Sequence, residues 1–409
     1  MNILHINQSD IAGGAAISGY RLHQGLLAQG INSKLLVGKV KTSSDRVAVV
    51  PRKHQIEKRL HHFTWRLGLH YIDLIGSFDI PNHTYYKEAD VLNFHNLHTE
   101  YFNYLAIPRL TQDKPTIFTL HDMWSFTGHC TYSYDCERWK IGCGKCPYPK
   151  TYPPIAVDNT HLEWKLKNWV YSRSNLTIVT ASHWLTEQVK QSMLSRFSIH
   201  QIPHGIDTQA YQPLDKEQCR SVLGIPKAKK VLMFAAAHLD EYRKGSDLLL
   251  KALQNLPVSL KSDLVLLILG GKGEAFADAI NSQSINLGYV TSDRLKSIAY
   301  SAADLFLFPT RADIFGLVAQ EAAACGTPIV SFKVGGVPDI VRSGVTGYLA
   351  EPENIEDFSH GIVQLLEDNN LRKSMGINCR ALSIQEYSLE QQIEAYIKLY
   401  SRVRSTSSL

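Results

Sequence analysis

Apolar and polar positions follow a repeating order along this chain: a short continuous apolar run, a turn, then a stretch with apolar residues every three or four positions. Met1–Asn7 (MNILHIN) is the first run and Ile11–Gly14 (IAGG) the turn; Ala15–Gln29 then carries Ile17, Leu22, Leu26 and Leu27 at helical spacing until Gly30 stops it. Further runs are expected as strands at Ile31–Gly38, Ala89–Phe94, Pro115–Leu120, Asn175–Thr180 and Ser198–Pro203. After a looser stretch, Gln209–Lys230, the order restarts with Lys230–Ala237, Asp263–Gly271, Ile285–Val290, Asp304–Pro309 and Pro328–Phe332. Continuous apolar strands separated by helices are covered on both faces, as parallel sheets are. The pattern therefore predicts an α/β protein with two doubly wound, Rossmann-like domains, 1–207 and 208–387. A last helix, 388–409, opens on the capping box Ser388-Leu389-Glu390-Gln391, carries the stripe Leu389, Ile393, Tyr396, Ile397, Tyr400 and Val403, and frays into the polar tail Arg404–Leu409.

Open α/β sheets place ligand contacts at the C-terminal ends of their strands, so the residues there are the candidates for chemistry. After the first strand Gly13 and Gly14 permit close backbone approach, but no G-x-G-x-x-G fingerprint is present, which counts against a dinucleotide cofactor. His121-Asp122 ends the Pro115–Leu120 strand, with His95 and His98 placed similarly after the preceding one. Arg243-Lys244-Gly245 sets two cations beside a glycine where a helix starts, which suits a diphosphate. Gly288-Tyr289-Val290 offers backbone groups to a flat base, and Gly335-Gly336 a close approach to a sugar. Asp313 and Glu321 stand eight positions apart, separated by a helix start at Phe315, Gly316 and Leu317. An acid, an anion-binding helix end and a second acid suit a sugar, a diphosphate and a ribose; an N-cap aspartate with a solvated glutamate is the plainer reading.

Arg46–His70 is expected as a basic amphipathic helix. Arg46, Arg52, Lys53, Lys58, Arg59 and Arg66 face a single acid, Glu57, with Ile56, Leu60, Phe63 and Leu67 at helical spacing. Such a segment either lies on an anionic membrane surface or packs one face on a core. Four of the seven cysteines, Cys130, Cys136, Cys143 and Cys146, fall in a loop at 129–147; a structural zinc site, disulfides and unrelated free thiols all remain open.

The 409 residues have the length of two or three domains, and the net charge of +5 is small, with no recurrent Lys/Arg tract, which argues against a nucleic-acid binder. The start lacks a signal peptide's basic and apolar regions, and no apolar run reaches membrane-spanning length, so a cytoplasmic protein is expected, at most touching the inner face of a membrane through 46–70.

The chain resembles the retaining glycosyltransferases of family four, within the branch that includes colanic acid and other exopolysaccharide biosynthesis transferases. The likeness covers nearly the whole chain and rests on Gly13-Gly14, TLHD (Thr119–Asp122), Gly205-Ile206-Asp207, RKG (Arg243–Gly245) and, most specifically, FGLVAQEAAACGTPIV (Phe315–Val330). It implies a GT-B fold, two Rossmann-like domains facing each other across a cleft, with an acceptor-side first domain, a donor-side second domain and a last helix crossing back. It further implies a hexosyltransferase moving sugar from a nucleoside diphosphate sugar to a saccharide, a lipid-linked saccharide or another hydroxyl acceptor without an essential metal. Lys244 and Arg243 would hold the diphosphate, Asp313 the transferred sugar and Glu321 the ribose, while His121 would reach the sugar and Gly13-Gly14 line the cleft. Two departures stand out: Ala237-His238-Leu239 replaces a usual Gly-Arg-Leu, leaving His238 or Arg243 to supply the cation, and the first motif acid is Asp313 in place of glutamate. A nucleotide-sugar epimerase of the same architecture, or a nucleotide-sugar-binding scaffold without activity, would share these features.

Overall fold

A computed structural model describes residues 1–272, 276 and 283–406. The chain divides into two compact units, Met1–Gly205 with Gln392–Leu409, and Ile206–Gln391. Of the expected polar tail, Arg404–Thr406 continue the last helix, Leu389–Thr406, and Ser407–Leu409 lie outside the described residues.

The first unit holds β1 (Asn2–Ser9), β2 (Asn32–Lys39), β3 (Val47–Val49), β4 (Val91–Phe94), β5 (Thr116–Leu120), β6 (Thr177–Thr180) and β7 (Ser198–Gln201). They pair in parallel in the order β3-β2-β1-β4-β5-β6-β7. Chain order reverses between β1 and β4, so the loops after these strands diverge and leave a crevice at their C-terminal ends. Every β4 and β5 residue is buried, as strands covered on both faces must be. From the last helix Tyr396 and Tyr400 enter this core; Thr119 Oγ1 lies 3.0 Å from the Tyr396 hydroxyl, and Asn93 Nδ2 donates to the Tyr400 hydroxyl at 2.8 Å. Ser388 Oγ accepts from Gln391 N–H at 3.3 Å, as the capping box requires.

The second unit holds β8 (Lys230–His238), β9 (Leu264–Gly271), β10 (Gln283–Asn286), β11 (Leu305–Phe308), β12 (Ile329–Phe332) and β13 (Gly347–Ala350), all parallel, in the order β10-β9-β8-β11-β12-β13. Its crevice lies between β8 and β11. The β8–β9 pairing shifts register between Ala235 and His238, and such a bulge re-aims the chain that follows.

Three expectations need correcting. Arg46–His70 is not one helix: β3 takes its start as an edge strand, and the helix covers His54–Arg66. The strand expected over Ile285–Val290 ends at Asn286, with Gly288 at φ +64° turning the chain. β13 went unforeseen because Gly347–Ala350 is too short to show a period.

Candidate functional site

In the second unit the two loops flanking the β8/β11 crevice carry the charged residues singled out in sequence. Gly245, at φ +71°, ends the turn Tyr242–Lys244 and caps the helix Ser246–Gln254. A Cβ there would sit 1.9 Å from the Pro309 carbonyl oxygen, so only glycine lets the β8 loop pack against the end of β11. The Arg243 carbonyl then accepts from Arg311 N–H at 2.8 Å and from Thr310 Oγ1 at 3.0 Å, locking one loop to the other.

Asp313 is the hub of that junction. Arg243 Nη1 and Lys244 Nζ each lie 3.1 Å from its Oδ2, and its Oδ1 accepts from Phe315 N–H at 3.3 Å. Its carbonyl oxygen accepts from Gly336 N–H at 2.9 Å, with Gly335 packed too tightly against it to bear a Cβ. Burial alone would raise the Asp313 carboxyl, but Lys244 and then Arg243 override it and hold it at about 2. Lys244 is lowered from the ordinary lysine range by burial and by Arg243, with Asp313 opposing. The pair is thus asymmetric: the carboxylate gains from both cations, whereas the lysine is crowded by its neighbour.

Directly beyond this cluster Gly316, at φ +93°, begins the helix Leu317–Ala324 and contributes no capping side chain. The first N–H groups of a helix want an acceptor and prefer an anion, so two cations and a helix N-terminus meet at one place. Glu321, buried on this helix, faces the hydroxyls of Tyr300 at 3.1 Å and Tyr211 at 3.2 Å, with Lys296 Nζ at 4.0 Å. The Tyr211 hydroxyl also reaches Asp293 at 2.6 Å; its single proton favours that closer acid.

Of the two possible substitutes for a Gly-Arg-Leu arginine, Arg243 is on Asp313, while His238 is exposed at the end of β8. Tyr289 is exposed in the turn after β10, where Gly288 N–H is already held by Asn286 Oδ1 at 3.0 Å. Sequence reading missed Tyr211 and Tyr300, which come from distant segments with no local pattern. It also missed Arg311, buried between Asp247 and Glu353 at 2.6 and 3.0 Å, which braces the Thr310–Asp313 loop.

The first unit presents Gly13 at φ +91° as the N-cap of the helix Gly14–Ala28. Near it Asp10 accepts from Lys41 N–H, Thr42 N–H and Thr42 Oγ1, which fixes the loop after β1. His121 ends a buried imidazole row: His5 Nδ1 lies 3.0 Å from His95 Nε2, and His95 Nδ1 lies 2.9 Å from His121 Nε2. Burial, reinforced by neighbouring histidines, lowers all three, His5 to about 3 and the others well below the usual value, so each ring is neutral. A neutral imidazole has one donor and one acceptor, hence His95 donates one way and accepts the other. His5 Nε2 is buried without a partner among the described residues, and a bare lone pair there costs less than a stranded N–H. The row therefore runs His5 to His95 to His121, leaving the His121 proton on Nδ1. His204 stacks on His121, ring centroids 5.1 Å apart, and its Nδ1 lies 2.8 Å from Ser18 Oγ; His98 pairs with Asp122 at 2.7 Å.

Cys130, Cys136, Cys143 and Cys146 are free and line one cavity of about 20 Å3, where His129 Nε2 lies 3.1 Å from Cys146 Sγ. Among the described residues no group of three or more His, Cys, Asp or Glu stands ready to hold a metal ion, and no helix is long and apolar enough to cross a membrane.

Residues 12–210 match the family model for Glycosyltransferase Family 4, and residues 215–382 that for glycosyl transferases group 1. The chain is 27% identical to a protein of Escherichia coli (strain K12) named as a colanic acid biosynthesis glycosyl transferase, WcaC, over 98% of this chain and 100% of that one. It is 31% identical to the D-inositol 3-phosphate glycosyltransferase of Mycolicibacterium smegmatis over 54% of this chain and 52% of the relative. In fold it is similar to sucrose-phosphate synthase of Thermosynechococcus elongatus (TM-score 0.73, 17% identity, 99% and 100% of the two chains covered). It is also similar to Anabaena HepE, solved in complex with UDP and glucose (TM-score 0.69, 16% identity, 98% and 100% covered). With its two units matched in order by these models and its full length aligned with a glycosyl transferase, the chain belongs to the glycosyltransferases of family 4, on the two-Rossmann-domain GT-B fold.

Proposed function

We propose that the protein transfers a hexose from a nucleoside diphosphate sugar to an acceptor hydroxyl with retention of anomeric configuration, in the building of an exopolysaccharide. The observation that carries this reading is the junction at Asp313, where Arg243, Lys244 and the start of the helix Leu317–Ala324 converge. Such donors are suited to the charge that grows on a departing diphosphate, and they cost no reorganisation when it forms. The sugar–phosphate bond loosens towards an oxocarbenium-like centre, the acceptor oxygen enters on the face the diphosphate leaves, and its proton passes to a phosphate oxygen. Asp313 holds the two cations in place and contacts the transferred sugar. Glu321, set among Tyr211, Tyr300 and Lys296, receives the ribose hydroxyls. The assignment of His121 to the sugar is carried over from the family resemblance. The complexes of HepE with UDP and UDP-glucose make uridine donors the first to try, and the colanic acid relative supports a saccharide or lipid-linked saccharide acceptor.

A thermal-shift screen of nucleoside diphosphates and their sugars identifies the donor, since a ligand binding the folded state raises its melting temperature. With that donor, Lys244→Ala should lower kcat by about a hundredfold or more, the usual effect of deleting a preorganised electrostatic donor. An unchanged kcat/KM removes Lys244 from the mechanism.

A further inference from the structure

The helix His54–Arg66 is built the reverse way from one that packs on a core. Its one buried side chain is Glu57, which accepts from Arg52 Nε at 2.6 Å and Gly76 N–H at 2.9 Å. One turn on, His61 Nδ1 lies 3.1 Å from Asp73. The inward face is thus held by polar contacts. The apolar stripe runs beside it: Ile56, Phe63 and Leu67 are 51%, 64% and 54% exposed, only Leu60 is half-buried, and Trp65 is 54% exposed. Lys58, Arg59 and Arg66 are exposed too and have no ion-pair partner among the described residues. Since Glu57 is the helix's one acid and is turned inward, its outer surface carries cations, apolar groups and the polar side chains of His54, Gln55 and His62, but no carboxylate of its own.

A contiguous apolar stripe left in water on a soluble chain marks a surface that something covers. We propose that this helix docks the protein on an anionic lipid surface, with Ile56, Phe63 and Leu67 entering the boundary between headgroups and acyl chains and Lys58, Arg59 and Arg66 meeting lipid phosphates. The charge selects this occupant. A second copy of the helix would bring like charges together, whereas a negative bilayer meets uncompensated cations beside apolar and aromatic side chains, the composition of an interfacial helix.

The test is flotation of the full chain with vesicles of phosphatidylcholine alone and of an equal mixture of phosphatidylcholine and phosphatidylglycerol. Binding is expected to the mixed vesicles and to weaken with salt. The double variant Arg59→Gln, Arg66→Gln should bind about twenty-five-fold more weakly, about fivefold for each cation. Phe63→Ser with Leu67→Ser should bind about tenfold more weakly or less, with an unchanged melting temperature because both side chains are exposed. The proposal is overturned if the chain stays in solution with both vesicle types, or if both variants bind as the parent does. A dimer in sedimentation velocity that Phe63→Ser, Leu67→Ser dissolves, without vesicle binding, overturns it equally and assigns the stripe to a second copy.

Discussion

Replacing Asp313 by asparagine tests the central cluster. The side chain keeps its size, but the one negative charge facing Arg243 and Lys244 disappears, leaving two cations, 15% and 13% exposed, around a neutral amide. The carboxyl sits at about 2 in the folded protein against 3.8 ordinarily, a difference equivalent to about 2 kcal/mol of folding stability at neutral pH. Removing one partner of a buried ion pair costs about 3 to 5 kcal/mol when desolvation is complete, so about 2 to 4 kcal/mol is expected here. For a unit of this size that corresponds to a fall in melting temperature of about 5 to 15 °C. The sign with pH is fixed: a depressed carboxylate stabilises above its unfolded value and loses that contribution as pH falls through the folded one. The gap between parent and variant in calorimetry should be full above about pH 5, about half at pH 3 and small near pH 2. Nucleoside diphosphate should meanwhile raise the variant's melting temperature more than the parent's, because Asp313 no longer competes for the cations, while turnover falls. A variant that melts with the parent, or that responds less to the ligand, refutes the idea that Asp313 neutralises this pair.

Three other outcomes follow from the same geometry. Glu321→Gln retains volume and can still accept from Tyr300, but it loses the carboxylate's charge and one acceptor oxygen; nucleoside diphosphate affinity by titration calorimetry should fall about tenfold, as for a lost charged hydrogen-bond partner, and unchanged affinity would remove Glu321 from the ribose role. Gly245→Ala forces a Cβ against the Pro309 carbonyl at positive φ, so it should destabilise by about 2 kcal/mol or more and abolish transfer; an alanine variant that melts and turns over like the parent contradicts the packed-loop account. In 15N-histidine spectra of the intact chain, with His121 assigned from His121→Gln, His121 should be neutral with its proton on Nδ1; His95→Leu should mix its tautomers, and His95→Asn, which keeps a donor near the same place, should restore the order. A parent spectrum with the proton on Nε2 reverses the direction assigned to the row.

Much of this protein is determined by the one-dimensional pattern. Runs such as KVLMFAAA and DLFLF are short, apolar and bounded by turns, which reads as strands buried on both faces, and the helical stretches that alternate with them favour parallel pairing and two open sheets. Lys244, Asp313 and the helix after Gly316 were also legible, because motif residues at strand ends carry their chemistry in their spacing. Tertiary structure decided the rest. Only the adjacency of β8 and β11 brings a lysine and an aspartate 69 positions apart to 3.1 Å, and only the two cations gathered there, acting against burial, make Asp313 a stronger acid than usual. Tyr211 and Tyr300 carry no local signal because their partner, Glu321, is reached through space. The helix at His54–Arg66 shows the limit most plainly. Its stripe reads identically whether it faces a core or the outside, since periodicity records that one face is apolar and not what covers it; the inward Glu57 settles that it is turned out.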